Sequence, residues 1–200
     1  MKGKPGEVRK YTTSMKAWLT DGTPFNAKGT GTDTIVKVDK DGNITIREST
    51  HTEVEGFPPD PDDVTVSVLK PDGTTSHVSG ANVGPQDYRL ANLGTVTLPD
   101  FPLADGTKWA HVFPADSNNG GVEAKGQYAV LGSERLHNLD TWKIHFRTVE
   151  LTGGAPARFD GTMWLSKTDA LEVKEADTFK NIPIGDSSPT LSGTGTSELQ

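Results

Sequence analysis

The sequence predicts an all-β protein built from one curved antiparallel sheet with few short helices. Apolar and polar residues alternate along much of the chain, Asp-Gly turn sequences separate the alternating runs, and helix signals are confined to one short segment. In the run 141–147, Trp142, Ile144 and Phe146 alternate with polar residues, which places the three apolar side chains on one face. This pattern is typical of a half-buried antiparallel strand.

The same alternation predicts the remaining strands of the sheet, at 32–38, 44–54, 64–68, 159–165 and 171–179. Asp-Gly pairs at 21–22, 41–42 and 72–73 lie between strand-like runs, where glycine supplies the positive φ of a tight turn. Asp160-Gly161 instead lies inside a run. There the glycine indicates a bulge or a close approach of a neighbouring backbone.

A short helix is predicted at 84–94, because Pro85 suits a first helical position and Gly94 suits the stop. Residues 1–185 are predicted to form a single β domain. Residues 186–200 are predicted to form a flexible tail, because they carry too little apolar surface to offset the entropy of ordering.

Strands with one apolar face need a cover, and a single short helix is too small to provide it. The sheet must therefore curl on itself or split into two facing sheets. A half-barrel and a β-sandwich both satisfy this requirement, and the pattern leaves both open.

Composition excludes several classes of function. A net charge of −7 without a dense Lys/Arg cluster argues against binding to nucleic acid. No apolar run approaches the length of a membrane span, so no span is predicted. With Cys 0, disulfides, thiolate catalysis and zinc-thiolate sites are excluded. The oligomeric state is not determined by these features.

No metal or cofactor is predicted. The five histidines lack the spacing that would bring two imidazoles to one metal. The loop 39–43 is similar to the start of an EF-hand calcium loop, which requires Gly at its sixth position and Glu at its twelfth. Counting from Asp39, these positions are Ile44 and Thr50, so the sequence favours a hairpin. The acidic segment 59–63 is typical of a surface loop. Glu134 and Arg135 are interpreted as a solvated corner between two strands, with no catalytic role.

Three segments resemble bacterial exported half-barrel proteins related to the lipoprotein carriers LolA and LppX: LPDFPLADGTKWAHVF, GQYAVLGSERLHNLDTWKIHF and FDGTMWLSKTDALEVKEA. The resemblance covers about residues 98–180 and is carried by positions 106–109, 132–134, 141–142 and 164–174. The lipobox Cys of that group is absent here, and Asp169-Ala170 stands where Gly is commoner. The resemblance implies a LolA-like half-barrel, an envelope location and an apolar cavity, and it implies no catalytic residue.

The predicted function is a non-catalytic envelope or secreted binding module for an apolar or lipid-like ligand. This location assumes that a leader has been removed, because the first residues lack an apolar signal region, and a cytoplasmic location stays open. Six residues on the predicted apolar face are the candidate ligand contacts, although such side chains more often form the core. They are Trp109, Trp142, Ile144, Phe146, Met163 and Leu165. Trp164 has the opposite parity and is predicted to face outward or to cover a neighbouring edge.

Two alternatives stay open from the sequence. A β-sandwich could bind carbohydrate or protein on an exposed aromatic strip, and an unrecognised hydrolase could use two carboxylates that converge in a cleft. A curved sheet with an apolar cavity favours the binding module, whereas converging carboxylates favour the hydrolase.

Overall fold

The computed structural model describes residues 1–58, 61–117, 120–184 and 189–200. These ranges contain the strands of an 11-stranded sheet and one helix. In chain order the elements are β1 (Val8–Leu19), β2 (Pro24–Val38), β3 (Ile44–Val54), β4 (Asp63–Leu69), β5 (Thr75–Gly80), α1 (Pro85–Leu93), β6 (Lys108–Phe113), β7 (Ala124–Leu136), β8 (Leu139–Glu150), β9 (Arg158–Ser166), β10 (Glu172–Pro183) and β11 (Thr190–Leu199).

All eleven strands belong to one antiparallel sheet in the order β5-β4-β3-β2-β1-β11-β10-β9-β8-β7-β6. The all-β antiparallel prediction is therefore confirmed, and the sandwich alternative, which needs two sheets, is not what forms. β5 and β6 are the two edges of the sheet and do not pair with each other. The sheet is consequently open.

The sheet curls around α1. Leu93 of α1 packs against Phe113 of β6 and Ala124 of β7. On its other side, Asn92 accepts a hydrogen bond from the backbone of Thr75 in β5, with 3.0 Å between Oδ1 and N. One short helix contacts both edge strands only if the sheet bends round it. The face that α1 covers is therefore the concave face.

β-Bulges help to explain the bend. Register shifts interrupt β2 between Ile35 and Lys37, β7 between Val130 and Gly132, and β10 between Phe179 and Ile182. A bulge bends its strand and increases the local twist. Since these bulges lie on three different strands, the curvature is distributed along the sheet.

The predicted helix is confirmed at Pro85–Leu93. The Asp87 carboxylate accepts a hydrogen bond from the Gly84 backbone at 2.6 Å, and the Gly94 N–H closes the last turn on the Leu90 carbonyl at 3.0 Å. An ion pair fixes the helix to the sheet, because Arg89 Nη2 lies 2.6 Å from Oε2 of the buried Glu150.

The three tight turns predicted at Asp-Gly pairs are confirmed, and the glycine of each has a positive φ. Gly22, Gly42 and Gly73 have φ values of 87°, 83° and 90° in the turns that join β1 to β2, β2 to β3 and β4 to β5. Gly161 lies inside β9, where an added Cβ would come within 2.6 Å of the Ala176 carbonyl oxygen. A close backbone approach, one of the two readings of that glycine, is therefore confirmed.

The flexible-tail prediction is wrong for Thr190–Leu199. These residues form β11, which pairs with β1 on one side and β10 on the other. The strand needs little apolar surface of its own, because two neighbours satisfy its backbone groups. The rest of the predicted tail, residues 186–188, lies outside the described residues, whereas Pro189 and Gln200 flank the strand.

The corner predicted at Glu134 and Arg135 lies three residues further along the chain. β7 continues to Leu136, and the reversal into β8 occurs at His137 and Asn138, whose φ values are 48° and 63°. A turn with positive φ at both central residues matches the twist of the flanking strands. Glu134 and Arg135 are exposed residues near the end of a strand.

Candidate functional site

The six candidate ligand contacts lie together in one apolar cluster on the concave face. Ile144, Phe146, Met163 and Leu165 are buried there, and Trp109 and Trp142 pack against them. Strand pairing explains the grouping, since Met163 lies opposite Ile144 and Leu165 lies opposite Trp142. The parity rule thus brings distant residues together as expected, while their role in ligand binding stays a prediction.

The protein's own chain covers this cluster. Val96, Leu98 and Leu103, which follow α1, pack on it. Trp109 donates a hydrogen bond from Nε1 to the Thr97 carbonyl at 2.6 Å, which holds the covering segment in place. This part of the concave face is therefore occupied by a lid of protein.

Beside the covered cluster lies a cavity of about 280 Å³, which we call the inner cavity. Met163 and Leu165 border it, together with side chains from β1 to β5 and β10 and the chain around Val96. Its charged lining residues are Arg9, Asp33, Glu48 and Glu172, and its polar lining residues are Tyr11, Ser67, Thr75 and Thr95.

Arg9 is the cation at this cavity and is already engaged. Its guanidinium bonds to Glu7 Oε1 at 2.9 Å and to Asp169 Oδ2 at 2.6 Å. Burial raises the pKa of Asp33 to about 7, with Glu48 and Glu172 adding repulsion and Arg9 opposing them. The cavity therefore holds more carboxyl groups than free positive charge.

Further along the same face lies a cavity of about 320 Å³, which we call the acidic groove. Its lining is Thr13, Ser14, Met15, Ala27, Lys28, Thr52, Glu175, Asp177, Phe179, Gly195, Thr196 and Ser197. Glu175 lies opposite Met163 of β9 and Ser197 of β11, so its side chain shares the face of the covered cluster. The groove continues that face beyond the lid.

Two glycines flank Asp177 and make room for its side chain. Asp177 lies opposite Gly161 in β9 and Gly195 in β11. A Cβ at Gly195 would stand 2.6 Å from Asp177 Oδ1, and a Cβ at Gly161 would stand 2.6 Å from Asp177 Cβ. Any larger residue at either position would fill the space around this carboxyl group.

The carboxyl groups of β10 differ in their partners. Hydrogen bonding to the Gly195 backbone partly offsets the rise in the pKa of Asp177, and hydrogen bonding to Ser197 does so for Glu172. Within the described parts of the chain, Glu175 forms no hydrogen bond or ion pair. Burial, then repulsion from Glu172 and Asp177, raises the pKa of Glu175 well above its ordinary value. Burial likewise raises the pKa of Asp177 to about 6.

Sequence reasoning missed Glu175 and Asp177 as candidate residues. The segment 171–179 was interpreted as a strand whose apolar face carries Leu171, Val173 and Phe179. Glu175 lies opposite Met163, Asp177 opposite Gly161 and Phe179 opposite Phe159, so all three share the concave face. The signal available in the sequence was two acids at alternate positions in phase with Phe179.

Trp164 lies on the opposite, convex face, as predicted. Lys143 and Lys174 lie over its ring at 5.0 and 5.8 Å from the centroid. Its Nε1 donates to Glu134 Oε2 at 2.8 Å. Glu134 therefore has a structural contact that the solvated-corner interpretation did not include, and Arg135 is not part of it.

Among residues 1–58, 61–117, 120–184 and 189–200, no group of three or more His, Asp or Glu side chains is arranged to hold a metal ion. The calcium-like loop is a hairpin turn, in which Asp39 Oδ1 accepts hydrogen bonds from Asp41 N and Asn43 N at 2.9 Å each. Of the acidic segment 59–63, residues 59 and 60 lie outside the described residues. The described part of the chain contains no helix with the length and apolarity needed to cross a membrane.

No protein-family model and no curated protein matches the chain. Among solved structures, it is similar to a "putative exported protein with YmcC-like fold" from Bacteroides fragilis, with 12% identity and a TM-score of 0.42, over 100% of this chain and 96% of that chain. At this level of similarity the neighbour carries no argument about function.

Proposed function

We propose that this chain is a non-catalytic binding module that holds an apolar or lipid-like ligand in the acidic groove. The supporting observation is that the concave face is covered by the protein's own chain over the apolar cluster and is open at the groove. Met15, Ala27 and Phe179 give the groove an apolar wall. The groove volume of about 320 Å³ is comparable to small-molecule sites, which begin near ~300 Å³.

The apolar wall supplies the driving force in this proposal. Each CH₂ group transferred from water into such a site contributes about 0.8 kcal/mol before the costs of association. A ligand with a short alkyl chain can therefore bind without any specific polar contact. This location replaces the covered cluster as the proposed contact surface, although Met163 and Leu165 still border the adjoining inner cavity.

The proposal is tested by blocking the groove. Thr52 is exposed and lines the groove, so Thr52→Trp adds an indole there without burying a polar group. Titration of 1-octanol, followed by NMR shifts of the groove amides, should show saturable binding to the unmodified chain and at least about tenfold weaker binding to Thr52→Trp.

Thr12→Trp is the matched control for this test. Thr12 is also exposed, but it lies opposite Glu198 in β11 and Thr30 in β2, on the convex face. This variant should bind 1-octanol like the unmodified chain. Absence of saturable shifts in the unmodified chain, or equal binding by both variants, would show that the groove is not the site.

A hydrolase is the second candidate, because Glu175 and Asp177 converge in the groove. Acid–base hydrolysis by two carboxyl groups requires environments that push their pKa values apart. Burial raises the pKa of both groups. The apolar wall formed by Met15, Ala27 and Phe179 favours the binding module. Turnover of glycoside or ester substrates that is lost in Asp177→Asn would instead favour the hydrolase.

We also propose an envelope or secreted location. This rests on the resemblance of residues 98–180 to exported half-barrel carriers. Fractionation of the native host with an antibody against the chain tests it, and recovery only with cytoplasmic markers would contradict the proposal.

A further inference from the structure

We propose that the convex face of the sheet carries a docking surface for anionic lipid bilayers. The surface is a row of side chains that crosses five neighbouring strands, and we call it the basic row. Its members are Val112 of β6, Lys125 of β7, Val149 of β8, Arg158 of β9 and Lys180 of β10. This inference concerns the face opposite the acidic groove and does not depend on any ligand in that groove.

Strand pairing places the five side chains of the basic row next to one another. Lys125 lies opposite Val112 on one side and Val149 on the other, and Arg158 lies between Val149 and Lys180. Residues directly opposite each other in an antiparallel sheet point to the same face. In β9, Arg158 has the parity of Trp164, so the row lies on the convex face.

The cations of the basic row are available to a partner. Lys125, Arg158 and Lys180 are all exposed. Across the ranges of the chain that the structure describes, none of the three takes part in an ion pair. The fold thus brings together three basic residues that are far apart in the sequence, which is why no Lys/Arg cluster is visible there.

The acids next to the basic row do not cancel its charge. Among the described residues of the two adjoining rows, the acids are Asp160 and Glu123. Asp160 is engaged, because His145 Nε2 lies 2.9 Å and Arg147 Nε 3.9 Å from its carboxyl oxygens. Three cations therefore stand against the single carboxyl group of Glu123, in a chain whose net charge is −7.

Exposed aliphatic side chains accompany these cations. Val112 is 53% exposed, and Leu151, which follows β8 beside the row, is 50% exposed. The Leu151 N–H donates to the Glu123 carbonyl at 2.8 Å, which continues the pairing of β7 with β8. Apolar side chains set among Lys and Arg are typical of surfaces that lie in the head-group region of a membrane.

This combination favours a bilayer over the other anionic partners. The basic side chains can reach the lipid phosphates while their methylene stems stay close to the sheet. Val112 and Leu151 would enter the boundary of the acyl region, whereas the phosphate backbone of a nucleic acid offers them no apolar phase. Because all the charges are exposed, the attraction should weaken as salt is added.

Vesicle flotation tests the inference directly. Vesicles of phosphatidylcholine with about 30% phosphatidylglycerol are compared with vesicles of phosphatidylcholine alone, in about 50 mM NaCl. The unmodified chain should partition at least about tenfold more strongly onto the anionic vesicles, because only these attract the basic row. Raising NaCl to about 500 mM should remove the difference.

Single charge removals locate the surface. Arg158→Gln and Lys180→Gln should each lower the partition coefficient by about fivefold, which corresponds to about 1 kcal/mol for each basic residue at an anionic membrane. Lys10→Gln is the matched control, because Lys10 is exposed on the same face but lies in β1, opposite Thr32 of β2. It removes the same charge and should leave the partition coefficient unchanged. Thermal melts establish that all three variants fold.

A second pair of variants tests the apolar contact. Val112→Ser should lower the partition coefficient by about threefold or more, because it removes aliphatic surface that enters the membrane. Val8→Ser is its control, since Val8 is 52% exposed and lies on the convex face opposite Thr34 of β2. This variant should bind the anionic vesicles like the unmodified chain.

Three results would overturn the inference. The first is equal partition of the unmodified chain onto both kinds of vesicle, and the second is an equal loss in Lys10→Gln and Arg158→Gln, which would show that net charge alone matters. The third is tighter binding to a short DNA duplex than to anionic vesicles at the same salt, with no effect of Val112→Ser. That result would assign the basic row to nucleic acid.

Discussion

The burial of Phe146 decides whether this residue contacts a ligand or packs in the core. It alternates with Trp142 and Ile144 on the concave face, which is the pattern that made it a candidate ligand contact. Its side chain is 0% exposed, beneath a lid that includes Val96. We therefore assign its main contribution to core packing.

Phe146→Asp should unfold the protein. The substitution removes a buried aromatic ring and leaves an unpaired carboxyl group in the core, a combined loss of more than about 5 kcal/mol. Chemical denaturation followed by circular dichroism measures this. Leu131→Asp is the control, since Leu131 is a large apolar residue of neighbouring β7 that is 57% exposed, and it should change stability by less than about 1 kcal/mol. A folded Phe146→Asp protein would mean that the lid can leave this cluster.

At the scale of the element, β11 holds the sheet together. It lies between β1 and β10, and β1 has no other connection to β10 within the sheet order. Its sequence is rich in Ser, Thr and Gly, and its backbone pairs along almost the full length of β1, from Leu19 opposite Leu191 to Tyr11 opposite Leu199. A polar strand is thus central because of its hydrogen bonds.

Removal of residues 187–200 should abolish cooperative folding. Without β11, the facing edges of β1 and β10 lose their partners and the sheet separates into two parts. Thermal melts of the truncated chain should show no native-like transition. A synthetic peptide of residues 187–200 should restore the transition by occupying the vacant position. A truncated chain that melts like the full one would refute the central role of β11.

At the scale of the whole molecule, the carboxyl groups of the concave face make stability depend on pH. Burial raises the pKa of Asp33 to about 7 and that of Asp177 to about 6, from ordinary values of 3.8. At pH values between about 4 and about 7, the folded state binds more protons than the unfolded state. The contribution of these groups to stability therefore decreases as pH rises through the window from about 4 to about 7.

The melting temperature should accordingly be higher at about pH 5 than at about pH 8. Asp177→Asn removes one of the responsible groups, so its melting temperature should rise relative to the unmodified chain at about pH 8 and should converge with it at about pH 4. Scanning calorimetry across this range measures both effects. Glu123→Gln, on an exposed residue, should keep the pH dependence of the unmodified chain. A melting temperature that increases steadily from about pH 5 to about pH 8 would contradict this assignment.

The sequence by itself determined the all-β class, six of the strands, three Asp-Gly turns and the helix at Pro85–Leu93. These features depend on local periodicity and turn chemistry, so that even β3 was predicted with the bounds that the structure has, Ile44–Val54. Parity also grouped Trp142, Ile144 and Phe146 on one face correctly.

Only the tertiary structure decided which part of that face is open. The lid that covers the apolar cluster comes from the chain after α1, and the position of β11 is set by pairing with β1 and β10. The register shift between Glu172 and Lys174 places Glu172, opposite Leu165, on the same concave face as Glu175 and Asp177. Each of these features depends on contacts between residues far apart in the chain, and a local pattern carries no information about which strand, lid or bulge will be its neighbour.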